Sequence, residues 1–235
     1  MKKYIIALVF AFSALMLKAQ KTGWELGANL TLGTTFHALS GENSQVQAAP
    51  NSNPGPAVQF STGIFARKFF RKSYGLELGV QWSSFGLRQW NRVVVLDSTG
   101  NTLGYASYTE QRRYGYVEIP VRFVFKKKVG KVHLGCFAGL SPALLIASAK
   151  IESNNNGGLN GGQTQTHSLK AETNPFNLFA DLGFLVRVDV YKRLYFEAKP
   201  QFRVSALPLQ KKDISPNSAE TLMSMGANLA VGWQF

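Results

Sequence analysis

Strict alternation of apolar and polar residues runs through most of the chain after residue 20, and it limits the possible folds more than any other feature. In residues 176–190 eight apolar side chains fall on one face: Phe176, Leu178, Ala180, Leu182, Phe184, Val186, Val188 and Val190. Because successive side chains of a β-strand point to opposite faces, this period predicts a strand with one apolar face. The same period recurs over 24–32, 58–67, 74–83, 117–125, 132–141, 194–204 and 223–235. We therefore expect an all-β protein with eight antiparallel strands.

The composition of the two faces favours a transmembrane barrel over a soluble one. The apolar faces carry almost no charge, as lipid contact requires, since Arg or Lys at mid-bilayer costs about 2–4 kcal/mol in such barrels. The polar faces combine Gly, Ser, Asn and Gln with charges of both signs, which suits a narrow, packed lumen. Aromatic residues gather at strand ends, as in membrane interfaces. They are Trp24, Tyr74, Phe125, Tyr191 and Trp233 at one rim and Phe36, Phe85, Trp90 and Tyr114 at the other. A soluble ligand-binding β-barrel is the alternative, because it would also alternate.

Connection lengths predict an up-and-down order with two unlike ends. The long connections are 37–56, 87–113, 148–174 and 207–220, and the short ones are 68–73, 126–131 and 192–193. Outer-membrane barrels have short periplasmic turns and longer outer loops. We therefore expect both termini on the periplasmic side.

The first twenty residues have the pattern of a secretory signal peptide. Lys2 and Lys3 precede an apolar run from Tyr4 to Leu17, and we expect cleavage close to Ala19 or Gln20. This divides the chain into a signal peptide, 1–20, and one outer-membrane β-barrel domain, 21–235.

Excess positive charge is concentrated at the short turns. The chain carries a formal net charge of +13, from 26 basic and 13 acidic residues. The turn residues are Arg67, Lys68, Arg71, Lys72, Lys126, Lys127, Lys128, Lys131, Lys192 and Arg193. They could meet anionic lipid headgroups at the periplasmic rim, or they could simply solvate the turns. No nucleic-acid-binding motif accompanies the charge.

Residues 116–125, Tyr-Val-Glu-Ile-Pro-Val-Arg-Phe-Val-Phe, resemble the Glu-Ile-Pro strand of the PorT-like outer-membrane β-barrel family. The end of the leader at Lys18-Ala19-Gln20 and the terminal Trp233-Gln234-Phe235 agree with that resemblance. The resemblance implies an eight-stranded barrel in the outer membrane of a Gram-negative cell, without an assigned catalytic set or ligand. Some members take part in protein secretion. The terminal Phe235 is similar to the aromatic end that the outer-membrane assembly machinery reads in this class.

The charged residues of the polar faces predict a structural ion-pair network in the lumen, because a buried charge without a partner is costly. Its expected members are Glu25, Glu77, Glu118, Arg122, Asp181, Arg187, Asp189, Glu197, Lys199 and Arg203. Two prolines, Pro120 and Pro200, fall inside predicted strands, where we expect local bulges.

No residue pattern predicts catalysis, a metal site or a cofactor. His37, His133 and His167 are far apart in sequence and show no HxH or HExxH spacing. His133 and Ser141 share one strand but lie eight residues apart, or roughly 26 Å at about 3.3 Å per residue, so they cannot form a Ser–His pair.

We therefore expect a non-enzymatic outer-membrane barrel whose lumen is too full for a general diffusion porin. Its partners would be outer-membrane lipid, the assembly machinery and possible envelope or secretion-complex proteins. The competing class is an outer-membrane enzyme acting on lipid A or peptides.

Overall fold

A computed structural model describes residues 23–40, 53–70, 73–96, 102–154, 164–210 and 219–235. The predicted signal peptide lies outside these residues. Eleven strands account for nearly all of the described chain. They are β1 (Trp24–Ser40), β2 (Asn53–Gly55), β3 (Ala57–Phe69), β4 (Tyr74–Leu96), β5 (Thr102–Glu118), β6 (Val121–Val129), β7 (Val132–Asn154), β8 (Thr164–Ser168), β9 (Phe176–Tyr191), β10 (Leu194–Ser205) and β11 (Ala219–Gln234).

All strands belong to one antiparallel sheet whose pairings follow a cyclic order. From β4 the ladder passes through β3, β1, β11, β10, β9, β7 and β5, and β5 pairs again with β4. The N-terminal and C-terminal strands are neighbours, in a register that places Glu25 opposite Gln234 and Ser40 opposite Ala219. The cyclic pairing leaves an interior that is lined by one face of β1, β3–β7 and β9–β11.

The number of strands differs from the predicted eight for three local reasons. The predicted strand over 117–125 is divided between β5 and β6, because Ile119 and Pro120 leave the ladder between them. The other two additions, β2 and β8, are short strands within predicted long connections and pair only with β4 and β7. The β4–β5 hairpin is also longer than predicted, since its pairing continues to Leu96 opposite Thr102.

The two faces of the sheet have the alternation that the sequence predicts. In β9 the side chains of Leu182, Phe184 and Val186 are exposed on the outer face, whereas Asp181 and Arg187 are buried on the inner face. Similar exposed rows of large apolar residues occur on β1, β3, β4, β6, β7, β10 and β11. Within the described residues, no helix has the length and hydropathy to span a bilayer.

The two prolines behave differently. Pro120 lies in the interruption between β5 and β6, where its carbonyl accepts a hydrogen bond from the backbone N–H of Gly79 at 3.0 Å. The prediction of a bulge at Pro200 was wrong. Pairing of β10 with β9 passes over Lys199 and Pro200 and resumes at Gln201 in the same register. Pro200 is exposed on the outer face. Its missing N–H donor interrupts the β9–β10 ladder for two residues but adds no extra residue to either strand.

Candidate functional site

The interior holds a continuous network of buried ion pairs, and Arg67 is its most connected member. Its guanidinium contacts Glu25 at 3.0 Å, Glu77 at 2.5 Å and Glu197 at 2.7 Å. All five N–H donors of Arg67 take part in these hydrogen bonds. β3 brings Arg67 to this point because Arg67 is opposite both Glu25 on β1 and Glu77 on β4. The side chain is fully buried, so its positive charge is compensated by these carboxylates and not by water.

Toward the short turns, Glu25 holds two more cations. Its carboxylate accepts hydrogen bonds from Lys126 at 2.7 Å and from Arg187. The Arg187 guanidinium also stacks on the ring of Tyr195, 3.7 Å from the ring centroid, and bonds Asp189 at 2.7 Å. These contacts extend the ion-pair network to the short-turn end of the interior.

Toward the long connections, the network continues through alternating acids and bases. Arg122 joins Glu77 to Asp181, both at 3.1 Å, and Arg203 joins Asp181 at 2.6 Å to Glu118 at 2.5 Å. Gln81 donates a further hydrogen bond to Glu118 at 2.6 Å. The ion pairs thus cross the interior from strand to strand without a gap in connectivity.

An aromatic and aliphatic layer lies above the network, on the same inner face. It consists of Phe85, Leu87, Tyr114, Tyr116, Ala143, Leu145, Phe179, Leu209 and Leu222. Phe85 and Phe179 stack with their ring centroids 5.1 Å apart, and the guanidinium of Arg203 lies 4.9 Å from the Phe179 centroid. The plug, as we name this layer, therefore packs directly on the ion-pair network.

Beyond the plug, a polar cavity of about 480 Å³ opens at the end of the long connections. Its walls include Arg112, Lys150, Glu152, His167 and Glu172. Arg112 bonds Glu110 at 2.6 Å and Glu220 at 3.1 Å, and Lys150 bonds Glu152 at 2.8 Å. The hydrogen bond from Lys150 is the main cause that lowers the pKa of Glu152. This outer cavity is therefore lined by carboxylates as well as cations and has no excess of positive charge.

Nine of the ten residues predicted for the interior network are buried and take part in its ion pairs, among them Lys199, which lies 3.8 Å from Glu197. Lys199 also reaches Glu77 at 3.5 Å. Asp189 is at the rim rather than in the interior, because its side chain is 45% exposed beside His133 and Arg187.

Four predicted rim positions were wrong. Arg67 and Lys126 point into the interior and pair with Glu25, so neither faces headgroups. Phe85 and Tyr114, predicted as interfacial aromatics, are buried in the plug. Strand alternation could have indicated the inner face. Phe85 is two residues from Ser83 and lies on its face, not on that of Trp82. Tyr114 is two residues from Tyr116 and lies on its face, not on that of Val117.

The residues considered for chemistry do not converge. His133 lies 3.1 Å from the Asp189 carboxylate at the short-turn rim, and His167 is exposed in β8 at the outer cavity. His37 belongs to β1, but its side chain lies outside the described set. Ser141 donates to Asp181 at 2.6 Å, within the ion-pair network. In the part of the chain that the structure describes, no three His, Cys, Asp or Glu residues come together as a metal site would need.

Comparison with known proteins relates this arrangement to outer-membrane barrels. The model of the family described as outer membrane protein beta-barrel domain matches residues 18–204. Neisserial surface protein A is 13% identical over 90% of this chain and 97% of its own, with a TM-score of 0.42. The outer membrane protease OmpT from Escherichia coli is 7% identical over 91% of this chain and 97% of its own, with a TM-score of 0.44. OprG from Pseudomonas aeruginosa is 10% identical over 91% and 96%, with a TM-score of 0.39. No curated protein matches the sequence.

Proposed function

The chain belongs to the outer membrane protein beta-barrel domain family and is located in the outer membrane, and we propose that it is a non-enzymatic barrel with a sealed lumen. It acts through its long connections and the outer cavity, by contact with an outside partner or within an envelope or secretion complex. The finer architecture that we propose is one closed barrel of eight strands, in which β5 and β6 count as one strand interrupted at Pro120. The PorT-like subfamily is proposed on the Glu118-Ile119-Pro120 strand.

The observation that carries the proposal is the filling of the interior by two successive layers. The ion-pair network places the buried guanidinium groups of Arg67, Arg122 and Arg203 across the lumen, each bonded to carboxylates from other strands. The plug then covers this network with stacked rings. A barrel of about eight strands has an interior just wide enough for side chains to fill. Such an interior supports a scaffold that displays its loops rather than a path for solutes.

The non-enzymatic role is supported by how the polar side chains are used. Asp181, the acid nearest to a serine hydroxyl, is bonded at once to Ser141, Arg122 and Arg203. A nucleophile needs a base within hydrogen-bond reach that is free to take its proton. The Asp181 carboxylate already accepts hydrogen bonds from two guanidinium groups, so Ser141 serves as one more hydrogen-bond donor to the network.

Conductance in planar bilayers tests the sealed lumen. We expect the purified monomer, shown to be folded by heat-modifiable migration on gels, to give no stable, large porin-like current. A known porin inserted under the same conditions is the positive control for the assay. Reproducible large current steps from the verified monomer would contradict the sealed lumen and favour transport.

Partner capture tests the role of the long connections. The full protein and variants with one long connection shortened are purified from detergent-solubilised outer membranes, and the proteins that accompany each are compared. We expect shortening of one long connection to remove a partner, while substitutions in the short turns leave that partner bound. Identical sets of partners from all variants would contradict a function in the long connections.

A further inference from the structure

Five exposed cations form a patch at the short-turn end, on two neighbouring hairpins. Lys127, Lys128 and Lys131 belong to the β6–β7 hairpin, and Lys192 and Arg193 form the β9–β10 turn. The two hairpins are adjacent because β7 pairs with β9, with Val132 opposite Val188. We name these five residues the basic collar.

No member of the basic collar has an ion-pair partner among the described residues. This separates the collar from Arg67, Lys126 and Arg187, whose charges are balanced by Glu25. The acid closest to the collar along the chain, Asp189, is already bonded to Arg187 and His133. The positive charge of the collar is therefore available to an external anion.

The collar continues the lipid-facing surface. Lys127 follows Phe123 and Phe125 in the outward row of β6, and the next outward residue, Val129, is 51% exposed. Tyr191, which precedes Lys192, is 63% exposed. Cations and an amphipathic ring at the end of an apolar row have the composition of a membrane interface, where the charged head of a lysine reaches the headgroup level.

The chemistry of the collar fits phospholipid phosphates better than a folded protein partner. Four of its members are lysines, which offer hydrated point charges on flexible stems rather than the fixed fork of an arginine. Flexible point charges suit mobile headgroups, and basic residues beside a bilayer attract anionic lipids. A protein that docked on the collar would also have to displace the lipid that covers Val129 and its row.

We propose that the basic collar binds the headgroups of anionic phospholipids in the leaflet that surrounds the short-turn end. The proposal depends on the outer-membrane location and not on the sealed lumen or the non-enzymatic role. A protein that conducts, or that acts as an enzyme, could still carry a functional collar, so the two proposals fail separately.

The test measures how the reconstituted protein selects lipids. The full-length mature protein is placed in phosphatidylcholine vesicles that contain spin-labelled phosphatidylglycerol or spin-labelled phosphatidylcholine, and the motionally restricted fraction of each label is recorded. We expect the wild type to prefer phosphatidylglycerol by about fivefold, which corresponds to roughly one basic residue acting at an anionic surface. Added salt should weaken that preference, because exposed charges are screened.

Two variants locate the preference. In the collar variant Lys127, Lys128, Lys131, Lys192 and Arg193 are replaced by Gln, and we expect equal binding of the two labels. In the matched control Arg88, Arg113 and Lys170, exposed cations toward the long-connection end, are replaced by Gln, and the preference should persist. Equal binding of the labels by the wild type, an unchanged preference in the collar variant, or equal losses in both variants would each overturn the proposal. Heat-modifiable migration shows that each variant is folded before its lipids are compared.

Discussion

Replacement of Arg67 by Met is the most informative single change to the interior, because it leaves one specific carboxylate without a hydrogen-bonded cation. Glu77 would retain Arg122 at 3.1 Å and Lys199 at 3.5 Å, and Glu25 would retain Lys126 at 2.7 Å. Among the described cations, Glu197 would retain only Lys199, at 3.8 Å, which is beyond hydrogen-bond distance. Removal of one partner of a buried ion pair costs about 3–5 kcal/mol. We expect R67M to lower the free energy of unfolding by that amount.

The assay is urea unfolding of the protein in lipid vesicles, followed by tryptophan fluorescence. R67K keeps a cation but not the five donors, so its loss should be smaller than that of R67M. The double variant R67M/E197Q removes the orphaned charge, and it should be more stable than R67M. The coupling between the two sites should fall within about 0.5–3 kcal/mol, as for residues in one network.

R113M provides the matched control, because the Arg113 side chain is exposed and has no ion-pair partner among the described residues. We expect its free energy of unfolding to change by less than about 0.5 kcal/mol, as for most surface substitutions. The reasoning is refuted if R67M is as stable as R113M, or if E197Q makes R67M still less stable. Either result would mean that water, and not Arg67, solvates the carboxylate of Glu197.

Two further changes test the packing around the network. Gly232→Ala should lower the free energy of unfolding by about 1–3 kcal/mol, because the added Cβ would overlap the ring of Tyr195 on which Arg187 stacks. Gly115→Ala should leave that free energy nearly unchanged in the same urea titration, because its added Cβ would make only ordinary contacts. Phe179→Ala should cost about 3–5 kcal/mol through the cavity that it opens in the plug, whereas Phe184→Ala on the exposed outer face should cost clearly less; equal losses for the two phenylalanines would contradict a packed plug.

The sequence was sufficient to predict an antiparallel all-β fold and the apolar face of its main strands, because period-two alternation is imposed by the backbone and needs no knowledge of tertiary contacts. Asp181 and Arg187 are buried where the alternation predicts, and Leu182 and Phe184 are exposed. The position of a residue along the strand was less predictable. Arg67 and Lys126 are next to short turns. Alternation places Arg67 on the polar face of its strand, but it does not show that Glu25 on β1 pairs with both cations.

The plug was missed for a different physical reason. Phe85 and Tyr114 are aromatic and lie near strand ends, which is also the pattern of an interfacial ring. Only the alternation of faces along the strand separates a ring on the inner face from an interfacial ring, and this signal is weak where a strand continues beyond the bilayer. The extension of β4 and β5 past the predicted ends placed both rings on the inner face.

The importance of the charged layer and the apolar layer in the interior follows from the lipid that surrounds the protein. In a soluble protein burial of apolar side chains drives folding, but here rows such as Leu182, Phe184 and Val186 are exposed on the face that meets lipid. The selection of one register and one interior packing must therefore come from contacts inside. A carboxylate such as Glu77, bonded to Arg67 on β3 and Arg122 on β6, is satisfied in only one alignment of those strands. The ion-pair network thus links the strands across the interior, and the plug packs on it toward the long connections.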